Sequence, residues 1–290
     1  LTRLTPWVLF RFLLGAAAFC LVCPALCGEK VEAGTKPETE PILDQFLGEE
    51  LSYRMGFWLF SYCGEVKARM TATEQSGVYK ASLDGRTVGF VDWLLGGYRL
   101  SYTSYLRVST SGERFEPLRF ELTVNHTGKE RRRTVTFDHS KQQMVFFRSP
   151  PEGEGQQEVK PMEAGIIYED YLTLFYNFRY GSYGPIQRGR TYRLPLYVHE
   201  GKNFLDVIIA SKEEEKQRHA QEIDKEGKDF FLRFRVSGED VSSTSGEIEG
   251  WLSRDRVPTK GTIRDVIFFG DLWGELVDRR VKATASNQNP

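Results

Sequence analysis

From about Leu43 onward, apolar side chains recur at every second position of the chain. Val66, Ala68, Met70 and Ala72 alternate with Lys67, Arg69 and Thr71, and the stretches Tyr79–Leu83 and Leu118–Val124 repeat the pattern. Alternation of this kind sets one face of an extended segment on a core and the other in water, as in antiparallel strands. Further strands are predicted over 98–109, 132–138, 143–148, 191–198, 203–211, 229–237, 246–253, 259–268 and 272–278. Turn-forming residues punctuate the series: Ser76-Gly77, Asp84-Gly85, Ser111-Gly112-Glu113, Glu200-Gly201-Lys202 and Ser237-Gly238-Glu239. A parallel α/β sheet needs a helix between successive strands, and the spacings leave no room for one. The expected fold is mainly β: one antiparallel barrel or half-barrel over residues 45–280, with one or two short buried helices.

Three segments depart from the alternation. Val88–Gly97 is nearly all apolar and reads as a short buried helix or a hairpin tip. Asp170–Arg179 is the strongest helix: Asp170 is placed to cap its first N–H groups, and Arg179 lies at the negative end of its dipole. Its apolar and aromatic residues cover most of the circumference, so it must be buried or plug the barrel. Ser211–Asp229 is charged with both signs and reads as an exposed helical excursion or long loop, with Glu214 and Arg218 at helical pair spacing.

Upstream the pattern changes. Arg3 and Arg11 are the only charges before Gly28; Phe12–Val22 is an unbroken apolar and small-residue run, followed by Pro24-Ala25-Leu26-Cys27-Gly28. This is the order of a secretory signal peptide, with Ala25 and Cys27 at the small-residue positions before the cut. The run is about 11 residues, short of the ~20 a bilayer-spanning helix needs, and an N-terminal anchor would bury Arg11 in lipid. Residues 1–27 are therefore expected to be removed. The polar, Pro-punctuated segment 28–44 reads as a disordered leader and 281–290 as a disordered tail. The mature protein is expected outside the cytoplasm, periplasmic in a bacterium, with no stable transmembrane span.

Export would remove Cys20, Cys23 and Cys27 and leave Cys63 alone, which excludes an internal disulfide and a thiolate metal centre. Loss of Arg3 and Arg11 takes the formal net charge from −1 to −3, so no basic excess attracts nucleic acid. Searching for chemistry yields little. There is no P-loop and no Gly-x-Ser-x-Gly elbow, and His126, His139, His199 and His219 are scattered. Asp138, Glu169, Asp170 and Asp255 are available to a glycosidase, but nothing sets two of them ~5–10 Å apart across a cleft. Lys129-Glu130-Arg131-Arg132-Arg133 reads as a solvated edge strand or as a patch for anionic glycan or lipid headgroups. No catalytic residue, metal site or cofactor is assigned. The densest aromatic cluster is Tyr171, Phe175, Tyr176, Phe178, Tyr180 and Tyr183. It packs a core or lines an apolar cavity, and Trp93, Trp251 and Trp273 could join it.

Several stretches in order carry a family resemblance: Leu51-Ser52-Tyr53, Gly64–Ala68, Glu116-Pro117-Leu118-Arg119-Phe120, Arg132–Asp138, Asp170–Tyr176 with Arg179, and Trp251-Leu252-Ser253-Arg254-Asp255 with Pro258. From about residue 50 to residue 278 the chain resembles domain-of-unknown-function family 3108 (DUF3108) of exported bacterial proteins. The resemblance implies an exported, mainly β envelope protein and supplies no activity. In outline only, the chain is also similar to periplasmic lipoprotein carriers, which wrap a curved sheet around an apolar cavity. Three functions follow as expectations. The first is a non-catalytic envelope protein holding a lipid, acyl chain or glycolipid in a barrel-like cavity, with Tyr171, Phe175, Tyr176, Phe178, Trp93 and Trp251 as ligand contacts. The second is an envelope assembly or scaffold protein with a filled core. The third is a polysaccharide hydrolase.

Overall fold

The computed structural model describes residues 41–58, 60–149, 154–197, 204–221, 227–236, 243–266 and 270–281. The expected signal peptide, the leader up to residue 40, the tail from 282, His199 and the turns at 200–202 and 237–239 lie outside the described residues. Where 28–44 was expected to be leader, Ile42–Phe46 forms a first short helix, α1, with Ile42 and Phe46 buried.

The alternating segments build two antiparallel meanders. The first comprises β1 (Glu49–Phe57), β2 (Phe60–Ala72), β3 (Tyr79–Thr87), β4 (Tyr98–Val108), β5 (Phe115–His126), β6 (Lys129–Asp138), β7 (Gln143–Ser149) and β8 (Gln156–Pro161). The second comprises β9 (Thr191–Leu194), β10 (Leu205–Ile209), β11 (Phe230–Arg235), β12 (Glu247–Leu252), β13 (Pro258–Val266) and β14 (Gly270–Val281). Pairing of β1 with β14 joins them into one sheet in the order β8-β7-β6-β5-β4-β3-β2-β1-β14-β13-β12-β11-β10-β9. The sheet is not closed, because its edges, β8 and β9, share no ladder. It curls nonetheless, since Phe146 on β7 stacks on Tyr197 just past β9, with ring centroids 4.3 Å apart.

Two sequence details resolve differently from expectation. Asp84-Gly85 is no turn: both lie inside β3, where Gly85 pairs with Val66 and Leu100. The basic stretch of β6 is no edge strand, because β5 and β7 flank it. The prolines obey strand rules: Pro258 opens β13, and Pro117 sits at the bulge where the β4–β5 register shifts.

Helix α2 (Gly89–Leu95) forms in the apolar segment 88–97, but only Val91 is buried, so it is a surface helix. Helix α3 (Tyr171–Tyr180) lies on the concave face, and every residue from Leu172 to Tyr180 is buried. Rings on both meanders pack against it: Tyr102 and Phe120 on Tyr171, and Tyr192 on Phe178. Helix α4 (Lys212–Gln221) is the charged excursion. It lies on the other face of β12, where His219 stacks on Trp251 at 4.4 Å and Arg218 donates to Glu249. Among the described residues, no helix is long and apolar enough to cross a membrane.

Candidate functional site

The concave face is organised by how α3 is held. Asp170 Oδ1 accepts from the backbone N–H of Leu172 (2.8 Å) and Thr173 (3.0 Å), and Oδ2 accepts from the hydroxyls of Ser104 and Thr173, each 2.7 Å away. Burial pushes its pKa up and the four donors pull against that rise. Glu169 is also buried; burial pushes its pKa up, while Arg114, Asn177 Nδ2 (2.8 Å) and Tyr183 OH (2.5 Å) donate to it. At the other end, Gly181 adopts φ +95° and closes the helix. Arg179 there grips Glu49 of β1 through two hydrogen bonds of 2.6 and 2.8 Å, with both side chains buried. Burial alone would lower the guanidinium pKa, and Glu49 outweighs it.

Most of the aromatic cluster is therefore packed core. Tyr176 meets Phe46 and Phe115 edge-on, and Phe178 and Tyr171 are engaged as above. Of the rings on α3, Phe175 borders open space inside the fold. With Leu172, it borders an apolar slot of about 40 Å³ whose far wall includes Tyr53, Met55, Gly261 and Gly274. That volume is a few times the ~10–15 Å³ one water requires and far below the ~300 Å³ of ordinary ligand sites. The slot exists because one row of the sheet carries almost no side chains: Gly64, Met55, Gly274, Gly261 and Gly250 are successive cross-strand partners on β2, β1, β14, β13 and β12. At Gly274 a Cβ would stand 2.7 Å from Met55 Sδ. Mid-strand glycines mark close approaches and were the sequence signal for this row.

The three tryptophans do not join α3. Trp251 faces α4 on the convex side. Trp273 covers Gly56, where a Cβ would come within 2.3 Å of its ring. Trp93 projects into solvent, 75% exposed. Glu169 and Asp170 spend both carboxylate oxygens on interior donors, and Asp255 is exposed in the β12–β13 turn. Asp138 sits at the β6–β7 turn, its pKa lowered to about 2 by the Ser140 hydroxyl and the Lys141 N–H. These four carboxylates supply no facing acid–base pair. His126 and His139 each bond a backbone carbonyl, Leu95 O and Pro117 O. Burial raises the Cys63 thiol to about 11. Among the described residues, no group of three His, Cys, Asp or Glu is placed to hold a metal ion.

A second apolar feature lies just above the slot, where β1 ends. Phe57 pairs with Phe60, and the turn position that follows Phe57 takes positive φ, which favours Asn or Gly. Trp58 occupies it instead, at φ +41° and 81% exposed. From Phe57 a file of rings runs outward: Phe60 at 5.3 Å, Phe90 of α2 at 6.2 Å, then Trp93 at 5.6 Å. Phe90 and Leu94 are more than half exposed. The β5–β6 turn abuts α2 through His126 Nε2 and Leu95 O, 2.7 Å apart. This aromatic rim combines a strained, bulky turn residue with contiguous exposed rings, and both mark functional surface. An apolar residue at a turn position, Trp58 between Phe57 and Phe60, is the sequence signal that could have found it.

The family described as "Protein of unknown function (DUF3108)" matches residues 52–276. The chain belongs to the DUF3108 family. The match runs from β1 through β14 and so takes in the ladder that joins the two meanders, the slot and the rim. The fold is similar to the crystal structure of a beta-barrel-like protein of domain of unknown function DUF1849 from Brucella abortus, with 12% identity, 81% of this chain and 98% of that chain covered, and a TM-score of 0.45. No curated protein matches the chain.

Proposed function

We propose that this DUF3108 protein works outside the cytoplasm as a non-catalytic interaction protein of the cell envelope, with the aromatic rim as its working surface. The observation that carries this reading is the file of exposed rings from Phe60 to Trp93, beside a turn that accepts backbone strain to present Trp58. A nearly filled interior favours it over a lipid carrier, because about 40 Å³ holds no acyl chain. The test is a photo-crosslinking amino acid at position 93, with Gln75, an exposed residue in the β2–β3 turn, as control, in cells that export the protein. Adducts at 93 and none at 75 support the reading. Equal labelling, or none, refutes it.

The glycine row favours a second reading, in which a small amphiphile enters the slot after Met55 moves off Gly274. Here Phe175 is a wall, so Phe175→Ala should strengthen capture of a fluorescent fatty-acid probe and Gly261→Val should abolish it. Probe binding unaffected by either substitution would remove this reading and leave the rim as the site.

A further inference from the structure

We propose that the aromatic rim docks on the surface of an anionic lipid bilayer. This rests on the reading of the rim as the working surface and names its partner.

The apolar part of the rim is built to project. In α2 the apolar residues face outward, the reverse of an ordinary surface helix: Val91 is buried while Phe90, Trp93 and Leu94 stand in water. Glycines with positive φ bracket the helix, Gly89 at +61° and Gly96 and Gly97 at +69° and +76°, and hold it against the strand ends. Its one charge is withdrawn: Asp92 turns back to accept from the Thr87 hydroxyl at 2.5 Å, leaving the outer surface free of carboxylate. Trp58, Phe60, Phe90 and Trp93 thus leave contiguous apolar ring surface in water at one end of the sheet.

The flank of the rim toward β6 carries the complementary charge. Beyond the Thr127-Gly128 turn that abuts α2, β6 opens with Lys129, Glu130, Arg131, Arg132 and Arg133, four cations against one acid. Arg132 bonds Glu130 at 3.2 Å. Lys129 and Arg131 pair across the ladder with His126 and Val124, in the rows nearest the rim. On the other side of the file, exposed Arg54 lies over the Tyr62 ring at 5.4 Å but has Glu65 and Glu275 as cross-strand neighbours, so the cationic excess is on the β6 side. Rings that insert at the headgroup level, with cations beside them, fit an anionic interface, where apolar insertion and attraction to the surface potential act together. An uncharged bilayer or a purely polar partner would use one half of this arrangement and leave the other unmatched.

The experiment is sedimentation of the purified protein with vesicles of phosphatidylcholine alone and with 30% phosphatidylglycerol, at 0.05 and 0.5 M NaCl. Tryptophan fluorescence is read with bromine-labelled lipid as quencher. Anionic lipid should strengthen binding about tenfold or more, and high salt should reverse most of that gain. Bound protein should show a blue shift and bromine quenching from Trp58 and Trp93. F90S/W93S should lose the blue shift and most binding, and K129E/R131E should lose the preference for phosphatidylglycerol. Both variants should keep the wild-type unfolding midpoint within a few degrees, since the replaced side chains lie outside the core. Three results overturn the proposal: no vesicle binding, equal binding to both compositions, or concentration-dependent self-association that F90S/W93S abolishes without any lipid effect. Crosslinks from position 93 to protein, with no vesicle binding, would overturn the bilayer while leaving the rim an interaction surface.

Discussion

Arg179→Met removes the cation that ties the C-terminus of α3 to β1. Breaking a buried ion pair from one side costs about 3–5 kcal/mol, most of it from stranding the remaining charge. Here the stranded group is Glu49, and it keeps a second partner: Arg279 Nε stands 3.1 Å from it, on a side chain about one-third exposed. That residual contact places the loss near the lower limit, at about 3 kcal/mol. Arg179 also covers Phe46, Phe175 and Tyr176 at 4.8, 5.0 and 5.6 Å and donates Nε to Arg256 O at 2.9 Å. Methionine recovers much of the ring contact through its thioether but not the hydrogen bond. Urea unfolding at pH 7, analysed by linear extrapolation, measures the difference. A chain of this size should lose roughly 6–12 °C in Tm. Adding 1 M NaCl should not erase the effect, because the pair is out of reach of screening ions. The double variant E49M/R179M should recover most of the loss, since two apolar groups replace two charges. A cost below about 1 kcal/mol for R179M, or strictly additive single and double effects, would refute this account of what holds the helix.

Asp170→Ala should cost about 2–4 kcal/mol, because it removes the cap of α3 and strands the buried hydroxyls of Ser104 and Thr173; thermal unfolding checks this. Cys63 should resist a thiol reagent at pH 8 in the folded protein and react rapidly once unfolded. Because burial holds the thiol proton up to about 11, stability should fall as pH rises from about 9 toward 11. Asp138 gives the opposite sign: its pKa is lowered to about 2, so the stability it contributes is present above about pH 4 and is lost as pH falls through 2. NMR titration of its carboxyl carbon should show that midpoint, and Ser140→Ala should raise it.

The strands with clean alternation were legible within a few residues, since burying one face dictates period two: the segment read as 98–109 is β4, and that read as 272–278 lies inside β14. β8 escaped because Gln156–Pro161 covers no core and carries no alternation. The cap at Asp170 and the enclosure of α3 could be read from residue types at fixed offsets. That Arg179 meets Glu49 could not, because the partners are 130 residues apart in the chain. Trp251 was misplaced for a simpler reason. Alternation says that residues 248 and 251 face opposite ways, but not which face carries the central helix. The rim escaped because exposed apolar side chains look like core in a one-dimensional pattern. Only their placement in a turn and on α2 separates the two.

The ladder between β1 and β14 also has a consequence in time. Residue 49 meets residues near 280 there, and the contact between Glu49 and Arg279 spans 230 positions. As the chain emerges from a ribosome or a translocation channel, the first meander can form from local hairpins, but the outer side of β1 stays open until β14 arrives. Through that interval the carbonyl and amide groups of β1 are available to any passing extended segment. Completion is therefore slow in proportion to the separation it must close, and the seam is where a stalled or truncated chain would begin to aggregate.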